Sequence, residues 1–284
     1  MKHLLEQQAD VIDATLARHG IPARVTGGTV APRHIRYDIG PLGSLEEDLA
    51  AALGVPAVRV VRSGGKVVAV EVPRTNPQPV RLASLLRGMR NVPQMTAILG
   101  IADDGVPLLV NLLSVGHILV TGPAGCGKSS LLRTVALSLT YFSPYLKIAT
   151  SSTPADLARL VRARERSAEP WPLAAILDGL PMTQDGLEVV VWRGPNVGVH
   201  LVMATRHAGP LGRLADLFGV RIAPPPDPAG PGDFVAYAEG GATRFWAAWP
   251  DEDVSSLFPA HGGNKEDVIP LLYSGDGRDG SNGR

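Results

Sequence analysis

The segment Gly122-Pro-Ala-Gly-Cys-Gly127-Lys128-Ser129 fits the pattern G-x-x-x-x-G-K-[ST], and no other feature restricts the possible folds as much. Each position has a chemical reason. The glycines let successive backbone N–H groups turn inward as an anion-binding nest. A helix starting at Lys128 aims the positive end of its dipole at the bound group. Lys128 brings a point charge near the β- and γ-phosphates of a nucleoside triphosphate, and Ser129 places a hydroxyl on Mg²⁺. The flanks agree: the apolar strand His117–Val120 precedes the loop, and a helix carrying Leu131, Leu132, Val135 and Leu137 follows. The expected cofactors are ATP and Mg²⁺, with Gly122, Pro123, Ala124, Gly125, Cys126, Gly127, Lys128, Ser129 and Ser130 around the phosphates.

The run Leu173-Ala-Ala-Ile-Leu-Asp178 is an apolar strand ending in a carboxylate. Beside a phosphate loop, such an Asp holds Mg²⁺ through water from a strand next to the loop's own strand. By itself the pattern is weak, since many buried strands end in an Asp that caps a turn. The expected metal residues are Ser129 and Asp178. The next residue is Gly179, which offers no side chain to polarise an attacking water.

Composition narrows the class. The chain has 284 residues, 45% of them hydrophobic, enough for one good core or two smaller ones. No run of about twenty apolar residues suggests a membrane span, and the N-terminus lacks a signal-peptide pattern. The single Cys126 fits a reducing, cytoplasmic setting. Formal net charge is zero, so any contact with nucleic acid must be a local patch or be shared between subunits. There is no Cys/His cluster of the kind that holds a metal, so His200 reads as a core or hydrogen-bonded histidine.

Along the chain, residues 2–18 read as a helix ended by Gly20 and Pro22. Strand-like runs follow at 23–25 and 35–39, then a short helix over 45–53 opened by Ser44. Strands at 58–62 and 66–72 flank Ser63-Gly64-Gly65, a hairpin signature. A Pro-containing link leads to a short helix at 82–89 and a second hairpin, 98–102 with 106–112, around Asp103-Asp104-Gly105. Strands at 146–149, 173–177 and 199–204, and helices at 128–139 and 154–164, then alternate. That pattern implies an α/β domain with a mainly parallel sheet. β-like runs return at 233–238 and 243–248. The expected division is a small α+β domain over 1–85, a P-loop domain over 86–259, and a flexible tail over 260–284. Arg162, Arg164 and Arg166 read as a solvated helix end or a partner-facing patch. Trp192, Trp246 and Trp249 read as packing residues.

Further segments make the pattern more specific. Gly20–Arg33, Val58–Val60 and Val70–Arg74 are similar to the α domain of the FtsK/SpoIIIE-type DNA translocases. Ile98–Pro107 resembles the entry into that family's RecA-like motor domain, and His117–Thr134 resembles its Walker A block. Gly198–Thr205, Gly232–Phe234 and Arg244-Phe245 resemble its later strands, all in family order. The resemblance implies a RecA-like P-loop NTPase fold and a hexameric ring, or a mixed ring with an active paralogue. It also implies double-stranded DNA as partner. The segment between the P-loop helix and Asp178 is much shorter than the family's, and two further departures bear on the site. Asp178 is followed by Gly179 where the family has Glu, and Thr205 by Arg206 where the family has a Gln that senses the γ-phosphate. Arg206 is thus either a phosphate contact, and so a catalytic candidate with Lys128 and Asp178, or a solvated loop charge. Asp185 or Glu188 is a substitute base on this reading. The alternative function is a nucleotide-binding subunit that does not hydrolyse, akin to degenerate type VII secretion ATPase modules.

Overall fold

The computed structural model describes residues 2–40, 45–63, 66–167, 171–179 and 185–258. Ser44, the Gly64-Gly65 turn and the segment 260–284 lie outside them. Contacts divide the chain into two units: Met1–Pro79 with Asp103–Val106, and Val80–Ala102 with Pro107 onward.

In the first unit, helices α1 (Lys2–Arg18) and α2 (Glu46–Leu53) accompany strands β1 (Val25–Val30), β2 (His34–Ile39), β3 (Arg59–Ser63) and β4 (Lys66–Pro73). The strands form an antiparallel sheet in the order β1-β2-β4-β3. Side chains alternate across a strand. Ile35, Tyr37 and Ile39 therefore share a core with Val70, Val72 and with Ile12, Leu16 and Leu49 of the helices. The intervening residues are charged and pair up, Arg36 with Asp38 at 3.0 Å and Arg59 with Glu71 at 3.1 Å. The first strand lies later than its sequence pattern suggests, because Val25–Val30 finds its partner in β2 despite the weak strand propensity of Gly27 and Gly28.

The second unit comprises α3 (Leu82–Gly88), β5 (Thr96–Ala102), β6 (Pro107–Asn111), α4 (Leu112–Val115), β7 (Ile118–Thr121), α5 (Lys128–Phe142), β8 (Lys147–Ala149), α6 (Pro154–Arg164), β9 (Leu173–Asp178), α7 (Leu187–Arg193), β10 (Val199–Thr205), β11 (Val220–Ala223), β12 (Asp233–Ala238) and β13 (Gly241–Ala247). Its nine strands run in the order β6-β5-β13-β12-β11-β7-β10-β9-β8. The stretch from β11 to β8 is parallel, and the stretch from β12 to β6 extends it antiparallel.

Strand parity sorts the two faces. Ile118, Val120, Ala174, Ile176, Val202 and Ala204 pack on Leu131, Leu132, Val135 and Leu139 of α5. The alternate residues Leu119, Ala175, Leu177, Leu201 and Met203 pack on Leu157 and Val161 of α6 and on Leu187 and Val190 of α7. Strands buried on both faces read as continuous apolar runs, as these do. Helix α3 packs within this unit, where Leu82, Ala83 and Leu86 meet Ile98, Leu137 and Trp246. Helix α6 opens with a capping box between Thr153 and Asp156.

Some side chains depart from their sequence reading. Arg164 is buried, and its guanidinium donates to the Val197 and Gly198 carbonyls, while Arg162 and Arg166 are exposed. Trp246 packs in the core, but Trp192 and Trp249 are exposed: the last turn of α7 and the stretch after β13 leave them facing solvent. His200 is buried, and its Nδ1 lies 2.8 Å from the Gly116 carbonyl.

Candidate phosphate-binding site

Strand β7 delivers the chain into the loop, and the loop delivers it into α5. Gly122, Gly125 and Gly127 have φ of +148°, +79° and +103°, conformations that side-chain-bearing residues adopt at a cost. Gly127 is the residue before α5 and tolerates no Cβ cheaply. An added carbon there would stand 3.1 Å from the Gly232 nitrogen. The Lys128 ammonium donates to the Gly122 and Pro123 carbonyls, both at 2.8 Å, and lies 3.9 Å from the Cys126 sulfur. Pro123, Ala124, Gly125 and Ser129 are exposed; Cys126, Gly127, Lys128 and Ser130 are half-buried. The outer rim of the loop is thus open to a ligand while its base is packed.

Three other segments hold that base. The Gly122 N–H donates to the Arg206 carbonyl at 3.1 Å. The Gly232 N–H donates to the Cys126 carbonyl at 2.9 Å. Pro224 closes against Gly122, where an added Cβ would meet it at 2.9 Å.

Asp178 ends β9, but β9 is not next to β7. Strand β10 lies between them, pairing with both. This corrects the expectation of an adjacent strand. Two interstrand spacings put β9 about 10 Å from β7. Ala204 of β10 aligns with Val120 on one side and Asp178 on the other, so the carboxylate sits at the level where the loop begins. Ala174 and Ile176 face α5, and alternation carries Asp178 to that same side. Asp178 is exposed.

Gly179 has φ +111°, outside the range that a Glu side chain accepts without strain, although open space surrounds the position. The missing carboxylate therefore coincides with a backbone shaped for glycine. Asp185 and Glu188 are exposed at the opening of α7. That opening packs on Pro154 and Ala158 of α6, on the face away from α5. The structure thus groups Lys128, Ser129, Asp178 and Arg206 at one end of the parallel strands, and leaves Asp185 and Glu188 on the other face. The Arg206 side chain is exposed, with no hydrogen bond or ion pair among the described residues. Among those residues no cluster of His, Cys, Asp and Glu could hold a metal unaided, and no helix is long and apolar enough to cross a membrane.

The sequence marks Gly232–Phe234 and Arg244-Phe245 only as strand segments resembling the family's, and says nothing of their contact with the loop or of the buried pair they form. Arg244 grips Asp233 with Nε at 2.8 Å and Nη2 at 2.6 Å, and both side chains are almost fully covered.

This is the fold of a P-loop ATPase, and comparison with solved structures agrees. The cytoplasmic domain of the Thermomonospora curvata type VII secretion ATPase EccC superposes with a TM-score of 0.55 at 19% identity, covering 68% of this chain and 36% of that one. The monomer form of the pCW3 conjugation coupling protein TcpA gives 0.54 at 11% identity, covering 88% and 98%. Residues 1–74 match the FtsK alpha domain. The DNA translocase FtsK of Mycobacterium leprae is 30% identical over 181 residues, 59% of this chain and 20% of that protein. The DNA translocase SftA of Bacillus subtilis is 27% identical over 150 residues, 48% and 16%. By these matches the chain is similar to DNA translocases of the FtsK/SpoIIIE type, and its residues 1–74 to their alpha domain. The chain spans about a fifth of the length of the curated relatives it matches.

Proposed function

We propose that this chain holds ATP with Mg²⁺ at Gly122–Ser130 as part of a cytoplasmic, ring-forming DNA-translocase assembly, and that it hydrolyses the nucleotide slowly. The observation that carries the reading is the loop itself. Glycine-only conformations feed the N-terminus of a 15-residue helix, and Lys128 is already seated on the loop's carbonyls. This cradle suits a polyphosphate. Lys128 would bind it, Ser129 and Asp178 would hold Mg²⁺, and the metal supplies charge neutralisation at the phosphates. Arg206, tied through its backbone to Gly122, would contact the terminal phosphate as a planar two-point donor.

Slow hydrolysis rests on Gly179 and on the placement of Asp185 and Glu188 across the sheet. Loss of a water-polarising carboxylate costs a factor of about 10²–10⁴ in rate. A second reading, a subunit that binds and never turns over, draws on the same glycine: its φ of +111° makes the loss a feature of the backbone. Double-stranded DNA as partner, and a ring of like chains or one mixed with an active relative, draw on the kinship with translocases alone.

An ATP titration with and without Mg²⁺ tests the site. Saturable binding strengthened by Mg²⁺ is expected. Asp178→Asn is expected to remove about tenfold of the Mg²⁺-dependent gain while leaving metal-free affinity unchanged. Absence of saturable binding would remove the proposal.

A further inference from the structure

The base of the phosphate loop rests on the β12–β13 hairpin, which belongs to the antiparallel half of the sheet. The support is layered. The Gly232 N–H holds the Cys126 carbonyl at 2.9 Å, and the Gly232 carbonyl receives the Ala247 N–H at 2.8 Å, so one residue ties the loop to β13. Gly232 itself sits at φ +89°. Its conformation is set from the next residue. Asp233 accepts the Ala229 N–H at 2.8 Å and both arms of Arg244, which closes the 229–233 turn around a buried carboxylate. Phe234 then packs 3.7 Å from where a Cβ on Gly127 would lie, and 5.9 Å ring-to-ring on Phe245. The Asp233 side chain is fully buried and that of Arg244 is 10% exposed. A charge pair so covered is weak support for stability by itself, since desolvation offsets its attraction. Its geometric consequence is specific: it fixes the one N–H that holds the loop at Cys126.

We infer that Asp233 and Arg244 are positioning residues for nucleotide binding, acting through Gly232 to hold the phosphate loop in its binding shape. This deepens the reading of Gly122–Ser130 as an ATP site and rests on it. A loop that must be ordered on binding pays for that order in affinity, and a pre-held one does not. Neither side chain need touch the ligand.

The test uses the full chain, with ATP and ADP affinities measured by fluorescent-nucleotide titration and folding followed by circular dichroism. Asp233→Asn keeps an acceptor for Ala229 and loses the ionic grip on Arg244. It is expected to weaken ATP and ADP alike by about tenfold, with a cooperative unfolding transition retained. Arg244→Lys keeps the charge but loses the two-armed fork, and is expected to weaken both by about threefold. Wild-type hydrogen exchange gives an independent reading: the Gly232 amide is expected to slow on adding ATP. Wild-type affinity in both variants, with only the unfolding midpoint lowered, would show a purely structural pair and overturn the inference. Should Asp233→Asn fail to fold, unchanged affinity in Arg244→Lys together with an unchanged Gly232 amide would overturn it. Failure of the wild-type chain to bind either nucleotide would instead overturn the ATP-site reading beneath it.

Discussion

Replacing Lys128 with alanine is expected to raise the dissociation constant for ATP by about 100-fold while leaving the fold intact. The size follows from two lost charge-assisted contacts to phosphate, about 1.5 kcal/mol each. The fold should survive because the ammonium is half-buried and its present partners are the Gly122 and Pro123 carbonyls at the exposed loop. Those carbonyls can turn to water when the ammonium is gone. Titration with a fluorescent ATP analogue, beside a urea unfolding curve, separates the two quantities. Unchanged affinity would mean that the loop is not the site.

Acid is expected to unfold the second unit well before the carboxylates account for it. His117, almost wholly buried, accepts the Leu201 N–H at Nδ1 (2.9 Å) and lies 3.1 Å from the Val191 carbonyl through Nε2. Burial pulls its pKa from 6.5 down to about 4. The direction of the effect follows from proton counts. Above pH 6.5 the ring is neutral in both folded and unfolded chains, and pH has no leverage. Between 6.5 and 4 the unfolded chain binds a proton that the folded chain refuses, so stability falls as pH falls. The full span is worth about 3 kcal/mol. Burial lowers His200 as well, which adds loss of the same sign. All four tryptophans, Trp171, Trp192, Trp246 and Trp249, lie in the second unit, so their fluorescence follows its unfolding. The urea midpoint of that signal is expected to drop steeply from pH 6.5 to 4. A flat midpoint over that range would contradict the neutral, buried pair.

How much of this was legible in the sequence depended on range. The phosphate loop is a local pattern, and its strand, its helix and Lys128 could be read from eight consecutive residues and their flanks. The apolar runs of β7, β9 and β10 announced a sheet covered on both faces. Strand order was beyond reach. Nothing in Leu173–Asp178 says that a later segment, Val199–Thr205, will insert between it and the loop strand, because pairing is a property of the whole sheet. The short β11, Val220–Ala223, alternates over too few residues to stand out, and α7 is only seven residues long. Gly179 was visible as a missing side chain, but its φ was not. The support from Gly232 and Asp233 is tertiary, joining segments far apart in the chain, and a Gly-Asp pair carries no mark of what it will face.

On the proposed function, ATP is held and turned over slowly. The direct measurement is phosphate released per bound ATP by the full chain, with Mg²⁺, in the presence and absence of double-stranded DNA. The expected result is saturable binding with release about 10²–10⁴-fold slower than an intact site would give, lost together with binding in Lys128→Ala. Rapid multiple turnover, accelerated by DNA and abolished by Lys128→Ala, would contradict it and show that another group activates the water despite Gly179.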